Sequence, residues 1–384
     1  MTSPATPNEQ IRPVDWHEVA ESIADGEAVL VLGPGAIPLY RAKSSGKPED
    51  NDEPGVMSYS QLTRRRILQA TNEVRVSYFY ERDNLFMFHD AESKRSALKI
   101  MRDCARDTRW LPDQELMRQI AAMPFCLVMD INPDTYLRDT FLKYGLTPQF
   151  DYFTAKDKPE QPEFKPLSAG RPLLYNMCGS VEKLDSQILD YNDLFDLLRN
   201  MLGDLGVPQI LRAKLQEADR FVLLGLQLER WYFQLLLHYL NKLDSTPFDN
   251  PTRNFSILNE MEGDTREFVL RQFNLECIAP SRSAFDELYA ACAQRGILRT
   301  LADPLSTGGT EVRIRVEKND FDGAFALLEK HTGILDANEL SLLKSRYNDW
   351  RHKSDLGIAQ LSELEVEINR IRYTLLTYAA QIAT

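Results

Sequence analysis

The sequence predicts an α/β protein whose doubly wound, mostly parallel sheet is followed by a small all-α helical domain. Short, almost wholly apolar runs recur along the first 280 residues and alternate with amphipathic stretches of helical spacing. This is the pattern of buried parallel strands covered by helices. Near residue 308 the apolar runs stop, and only amphipathic segments of helical period follow. The change from an alternating strand and helix pattern to a purely helical pattern predicts two domains.

Six apolar runs are the predicted strands. They lie at residues 27–36, 125–131, 171–179, 219–226, 254–260 and 275–280. A parallel sheet binds ligands at the carboxyl ends of its strands. Residues directly after these runs are therefore the candidates for a functional site.

Helices and loops are predicted between the strands. Residues 15–26 form an amphipathic helix that ends on Gly26 as a C-cap, and further helices are predicted at 192–205 and 229–243. The polar stretch 43–60 is rich in Pro and Gly and is interpreted as a loop, with a lid role left open.

The domain limits follow from composition. Residues 303–310, "DPLSTGGT", have linker composition. We therefore expect a first domain at 1–305 and a second at 311–384, with three helical segments in the second.

Bulk composition narrows the function classes. The chain has 384 residues, 43% hydrophobic and 27% charged, with a net charge of −12. Direct nucleic-acid binding is the least favoured class at this charge. The basic cluster Thr63–Arg66 is interpreted as a solvated helix face. Without an apolar run of about 18 residues or a secretory signal pattern, a cytoplasmic protein is expected.

The cysteine pattern bears on metal binding. The five cysteines are scattered without a C-x-x-C pair: Cys104, Cys126, Cys178, Cys277 and Cys292. This spacing disfavours a zinc module and a disulfide framework, so no metal is expected.

The first strand ends in "VLGPGAIP", residues 31–38. Glycines at this place let the backbone approach a pyrophosphate, and a following helix would offer its N–H groups to the anion. A plain tight turn is an equally good interpretation of these residues alone.

Two more strand ends carry polar or small residues. "MDINPD" places Asn132 and Asp134 after the second run, where the alternative is a turn with Asp134 capping a helix that begins at Thr135. Gly225 ends a later strand, and simple close packing is weighed there against a ligand-facing role.

In this order, the strand ends resemble the sirtuin superfamily, in particular the sirtuin-like domains of prokaryotic antiviral defence proteins. "GPGAI" is similar to the family's Gly-Ala-Gly turn, with Pro34 in place of Ala. "INPD" matches its Thr-Asn-Tyr-Asp turn at Asn132 and Asp134, whereas Ile131 and Pro133 depart. The likeness spans roughly residues 15 to 295 and implies a Rossmann-type, NAD-binding domain.

Two further segments carry the resemblance. "MCGS" matches the family's Leu-His-Gly-Ser at Gly179 and Ser180, with Cys178 at the position of the catalytic histidine. "LLGLQLERW" is similar to a Gly-Tyr-x-x-x-Asp-Trp helix start, with Gly225 and Trp231 in place.

The C-terminal part resembles a small helical effector-associated domain of bacterial defence and signalling proteins. "SRYN" at 345–348, Gly357 and "EINRI" at 367–371 carry this likeness. A plain helical cap on the first domain is the alternative.

The resemblance implies roles for named residues. Asn132 would position the nucleophile or a ribose hydroxyl, Asp134 would shape the turn, and Cys178 would occupy the position of the base. The implied NAD-binding residues are Gly33, Pro34, Gly35, Ala36, Gly179, Ser180, Gly225 and Asn259.

The cysteine is a poor substitute for histidine. A free thiol titrates at about 8.5, and its pKa rises when it is buried among apolar groups. His17 and His89, both on predicted helices, are the only other candidates in the first half of the chain, and we interpret them as structural.

Two functions follow. The first is an NAD-hydrolysing effector of antiviral defence, activated by self-assembly. The second is a catalytically inactive NAD- or nucleotide-binding assembly or adaptor module, recruited through the helical domain. A zinc-dependent protein deacylase is not expected. The expected partners are further copies of the chain, or another defence protein with a matching helical domain.

Overall fold

The computed structural model describes residues 14–41, 55–154, 164–202, 208–242, 254–258, 276–278, 281–302, 308–331, 337–356 and 361–381. The chain divides into two compact units. One comprises Met1–Leu137 with Pro148–Arg299, and the other comprises Arg138–Thr147 with Thr300–Thr384. The domain limits at 305 and 311 stay a prediction, since residues 303–307 lie outside the described part.

The strands of the described chain are β1 (Ala28–Leu32), β2 (Pro38–Arg41), β3 (Val56–Ser58), β4 (Val76–Tyr80), β5 (Leu85–Phe88), β6 (Trp110–Pro112), β7 (Leu127–Asp130), β8 (Gln149–Tyr152), β9 (Leu173–Asn176), β10 (Arg220–Leu224), β11 (Asn254–Leu258) and β12 (Glu276–Ile278).

Its helices are α1 (Trp16–Ala24), α2 (Tyr59–Gln69), α3 (Ala91–Ala105), α4 (Gln114–Ala122), α5 (Tyr136–Lys143), α6 (Tyr191–Leu202), α7 (Gln209–Glu217), α8 (Trp231–Lys242), α9 (Ser281–Gln294), α10 (Gly308–Glu317), α11 (Phe321–Leu328), α12 (Ala337–Leu356) and α13 (Leu361–Gln381). Within the described residues, none of these helices is long and apolar enough to span a membrane.

A seven-stranded sheet with parallel pairing throughout forms the centre of the first unit. The strand order is β12-β11-β10-β1-β7-β9-β8. From β1 the chain builds one side of the sheet and then returns to build the other. Right-handed crossovers in opposite directions place helices on opposite faces, so the α/β doubly wound prediction is confirmed.

The apolar runs became strands because both of their faces are covered. All five residues of β1 are buried, as are all residues of β7, β9 and β10. Each of the six predicted runs contains a strand. The pattern did not predict β8. Its sequence, QFDY, alternates polar and aromatic residues, and only Asp151 of the four is buried.

The stretch between β1 and β7 departs from prediction. The turn after β1 leads into β2, the central strand of an antiparallel β3-β2-β6 sheet, so the helix expected there is wrong. Ile37 precedes Pro38, and a residue before proline is disfavoured in helical backbone conformation. A second insertion is the antiparallel hairpin β4–β5.

The end of the predicted loop 43–60 is also ordered differently. Residues 56–60 form β3 and the first turn of α2, because Ser58 and Gln61 form a capping box at the start of that helix. Residues 42–54 lie outside the described part of the chain.

The second unit contains a helical domain with its own core. Its buried side chains come from all four helices that follow residue 307 and include Val316, Phe325, Tyr347 and Ile371. The sequence predicted three segments, with residues 308–310 as linker. The first segment instead divides into α10 and α11.

That division has a local cause. Asn319 has a positive φ of 57°, which ends α10, and Asp320 caps α11 by accepting from the N–H of Gly323 at 3.0 Å.

Two glycines bring the ends of β1 and β10 into backbone contact. The Gly33 N–H donates to the Leu224 carbonyl at 2.8 Å. A Cβ on Gly33 would lie 2.2 Å from the Gly225 carbonyl oxygen, and Gly225, at φ +66°, would place a Cβ 2.4 Å from the Ala36 nitrogen. No side chain fits between these turns.

We expect Gly33→Ala to lower the unfolding free energy by about 1–3 kcal/mol or more, because its methyl group meets backbone that cannot rotate away. Chemical denaturation of the full chain measures this. Gly55→Ala is the matched control, since a Cβ there meets nothing within 4 Å. Equal midpoints for the two variants would contradict the contact.

Candidate active site

A cavity of about 110 Å³ lies at the carboxyl ends of the central strands. Pro34 follows β1, Asn132 follows β7, and Cys178 follows β9; all three line the cavity. Because β1 lies between β7 and β10, where the strand order reverses, this is the place where a doubly wound sheet binds ligands.

Helices and the β4–β5 hairpin complete the walls. The polar lining includes Arg64 of α2, Asp83 and Asn84 of the hairpin turn, and Arg230 and Tyr232 at the start of α8. The remaining lining is mainly apolar and comes largely from α6 and α8. An apolar pocket with a few convergent polar groups is typical of small-molecule sites.

Asn132 is the predicted residue that the structure places most favourably. It is only 4% exposed, and its backbone N–H donates to Asp130 Oδ1 at 2.9 Å. In the part of the chain that the structure describes, its side-chain amide has no hydrogen-bond partner. Buried amides are normally paired, so this one is available to a ligand.

Asp134 lies beside the cavity but does not line it. Its Oδ1 accepts from the Tyr136 N–H at 3.0 Å, at the start of α5, and its carbonyl accepts from Asn176 Nδ2 at 2.8 Å. These contacts are those of the turn-and-cap alternative. Asn176, the last residue of β9, thus ties two neighbouring strand ends together.

Asp130, the last residue of β7, lies beside the site without lining the cavity, and the sequence motifs did not single it out. It is 1% exposed, and burial raises the pKa of its carboxyl well above the usual range, with the charge of Asp134 acting in the same direction. The bond from Asn132 N–H opposes this shift. The sequence feature that could have identified Asp130 is an aspartate at the end of an apolar run that predicts a buried strand.

Cys178 is half-buried and lines the cavity. Burial raises the pKa of its thiol to about 12, and Asp130 adds to the shift. The thiol is therefore protonated near neutral pH, where a general base must be free to accept a proton.

Neither candidate histidine replaces it. His17 lies on α1 and His89 in the bend after β5, and neither lines the cavity. The prediction of a helix at His89 is wrong, because the β4–β5 hairpin occupies that stretch.

The N–H groups of the glycine turn already have partners. Gly33 donates to Leu224, Gly35 donates to the Gly225 carbonyl at 3.4 Å, and Ala36 donates to the Gly33 carbonyl at 3.0 Å. Pro34 has no N–H. The turn's predicted contact with a pyrophosphate stays a prediction, and so does the predicted place of Gly225 near the adenosine end of NAD.

Gly179 and Ser180 close the turn after β9. Gly179 has a φ of +88°, and a Cβ there would lie 2.2 Å from the Ser186 carbonyl oxygen. The N–H of the fully buried Ser180 donates to Ser186 Oγ at 2.9 Å. Neither residue lines the cavity, so their NAD-binding role is untested. Asn259 lies outside the described residues.

The interpretation of Thr63–Arg66 as a solvated face is wrong. Arg64 lines the cavity, and Arg66 pairs with Asp107 at 2.5 Å. Helical periodicity alone could not show this, because the covering elements come from distant parts of the chain.

Comparison with protein families was made for the whole chain. Residues 127–278 match the family model of the SIR2-like domain, and residues 310–383 match that of Effector-associated domain 11. The predicted architecture is confirmed. A search of curated proteins finds no match.

The SIR2-like match runs from β7 to β12 and includes Asn132, Cys178 and Gly225, whereas the turn after β1 precedes it. The SIR2-like fold is associated with NAD. Within the described residues, no group of three or more His, Cys, Asp or Glu side chains is placed to hold a metal ion.

The raised pKa of Asp130 gives a testable pH dependence. The folded state binds this proton more tightly than the unfolded chain, so stability falls as pH rises from about 4 through the folded-state pKa. Asp130→Asn keeps an oxygen for the Asn132 N–H and removes the charge. We expect the variant to exceed the native protein in unfolding free energy at pH 7–8, by on the order of 1 kcal/mol for each pKa unit.

Denaturation from pH 4.5 to 8 measures the difference, which should grow with pH. Asp103→Asn serves as the control, because that side chain is 66% exposed. A constant difference across the pH range would show that Asp130 is not responsible.

Proposed function

We propose that this chain is a sirtuin-like defence effector that hydrolyses the nicotinamide–ribose bond of NAD. Support comes chiefly from Asn132, whose buried side-chain amide faces the cavity without a partner in the described chain. The SIR2-like match over the same strand ends agrees with it.

The cavity fits one end of the dinucleotide. Its volume of about 110 Å³ is below the roughly 300–1,000 Å³ of complete small-molecule sites. It therefore holds only part of the dinucleotide, with the nicotinamide ribose beside Asn132, and the rest of NAD would extend along the carboxyl edge of the sheet.

Asn132 and Cys178 define what chemistry this pocket favours. In the reaction, water adds to the ribose carbon, nicotinamide leaves, and one proton is released. The amide of Asn132 is placed to orient the water or a ribose hydroxyl, a positioning effect. Because the Cys178 thiol is a poor proton acceptor, turnover is expected to be slower by about 10²–10⁴-fold than with a positioned base.

The same thiol favours a second function. With its pKa raised to about 12, Cys178 suits a module that binds NAD or a related nucleotide without hydrolysing it. We therefore keep the adaptor function as the second proposal beside NAD hydrolysis, and one experiment distinguishes the two.

Assembly is the proposed task of the C-terminal domain. Its match to Effector-associated domain 11 and its separate core suit a module that recruits like domains. The proposed partner is a second copy of this chain, or a protein that carries a matching domain.

The test is NAD consumption by the purified full chain, over concentrations at which light scattering reports its oligomeric state. We expect activity to rise with assembly and to fall at least 100-fold in Asn132→Ala, because the orienting amide is lost. Asn72→Ala is the control, since Asn72 is an exposed amide in the turn after α2 and does not line the cavity.

Cys178→His separates the two functions. A rise of about 10²-fold or more shows that the pocket is competent and lacks only a base. Inert native protein with an active Cys178→His variant supports the adaptor. Absence of both hydrolysis and NAD binding in all variants would contradict both functions.

A further inference from the structure

The cavity needs a cationic group if its ligand carries phosphate. The N–H groups of Gly33, Gly35 and Ala36 donate to carbonyls of the protein itself. Backbone amides of this turn are thus unavailable in the described conformation, and charged side chains must meet an anion instead.

Two arginines from separate segments of the chain line the cavity. Arg64 lies on α2, and its guanidinium lies over the Phe79 ring at 5.8 Å from the centroid. Arg230 precedes α8, and its Nη1 donates to the Tyr232 hydroxyl at 3.0 Å. Both side chains are half-buried.

Neither arginine forms a salt bridge with a carboxylate in the described part of the chain. Arg66 and Arg118, by contrast, each pair with a carboxylate. A guanidinium carries five N–H donors, and a ring contact or one hydroxyl uses few of them. Donors remain for a ligand.

The lining contains one carboxylate, Asp83, against these two cations. Its Oδ2 accepts from the Tyr191 hydroxyl, and its carbonyl accepts from the Tyr232 hydroxyl at 2.9 Å. The carboxylate is thus held by tyrosine and not by arginine. The lining keeps an excess of one positive charge.

We infer that Arg64 and Arg230 form the anion-recognition element of this cavity and select ligands that carry phosphate. Guanidinium groups bind phosphate oxygens through two parallel N–H bonds and stay charged at all relevant pH values. The inference rests on the proposed function in taking NAD as the ligand, and it adds the two residues that hold its pyrophosphate.

Calorimetry of the full chain tests this with ADP-ribose, which contains the pyrophosphate but cannot be hydrolysed at a nicotinamide bond. We expect Arg64→Gln and Arg230→Gln each to weaken ADP-ribose binding by about tenfold to a hundredfold, the usual loss for a hydrogen bond to a charged group. Arg65→Gln, the neighbour of Arg64 on α2 that does not line the cavity, should bind like the native protein.

Nicotinamide riboside separates recognition of phosphate from a general loss of structure. Because it lacks phosphate, its affinity should change less than twofold in either variant, and the thermal midpoints should stay within about 2 °C of the native value. Unchanged ADP-ribose binding, or an equal loss for nicotinamide riboside, would overturn the inference.

If the native chain binds neither NAD nor ADP-ribose, the proposed function fails, and inorganic pyrophosphate becomes the probe. If the native chain binds pyrophosphate and Arg64→Gln and Arg230→Gln weaken that binding, the anion site is supported, with another phosphate compound as its ligand. Absence of pyrophosphate binding by the native chain ends the inference as well.

Discussion

Where β1 and β10 end, their following turns meet backbone to backbone, because Gly33 and Gly225 leave no side chain between them. This contact fixes the central edge of the sheet. It places Pro34 at the cavity and directs the chain after β10 towards Arg230. It also pairs the N–H groups of the first turn with carbonyls of the protein. The recognition of a ligand at this edge therefore falls to side chains.

Two titratable side chains at the strand ends bind their protons more tightly than they would in water. Asp130 and Cys178 both have raised pKa values because burial disfavours their charged forms. Asn132 contacts both Asp130 and the cavity: its backbone N–H donates to the Asp130 carboxylate, and its side-chain amide faces the cavity. The Cys178 thiol keeps its proton near neutral pH and is therefore a poor proton acceptor there.

The two domains have different architectures. The SIR2-like domain contributes a concave site on a rigid parallel sheet, where side chains are held by buried strands. The effector-associated domain is a set of helices around its own small core. Each domain buries its own apolar side chains, so each has a defined fold irrespective of the task of the other.

The sequence alone determined the class of fold, because the strands of a parallel sheet are buried on both faces and read as continuous apolar runs. It also determined the order of the strand-end motifs and with it the position of Asn132 and Cys178. The short strands β2 and β8 were not predicted, since partly exposed strands carry no continuous apolar signal.

Only the tertiary structure decided which residues meet at the site. Arg64, Asp83 and Arg230 come from three separate elements, and no local pattern relates them. The tertiary structure also showed that the N–H groups of the glycine turn donate to carbonyls of the protein itself. This pairing depends on β10 lying beside β1. Local periodicity reports which side of an element is buried; what lies against that side is set by long-range packing.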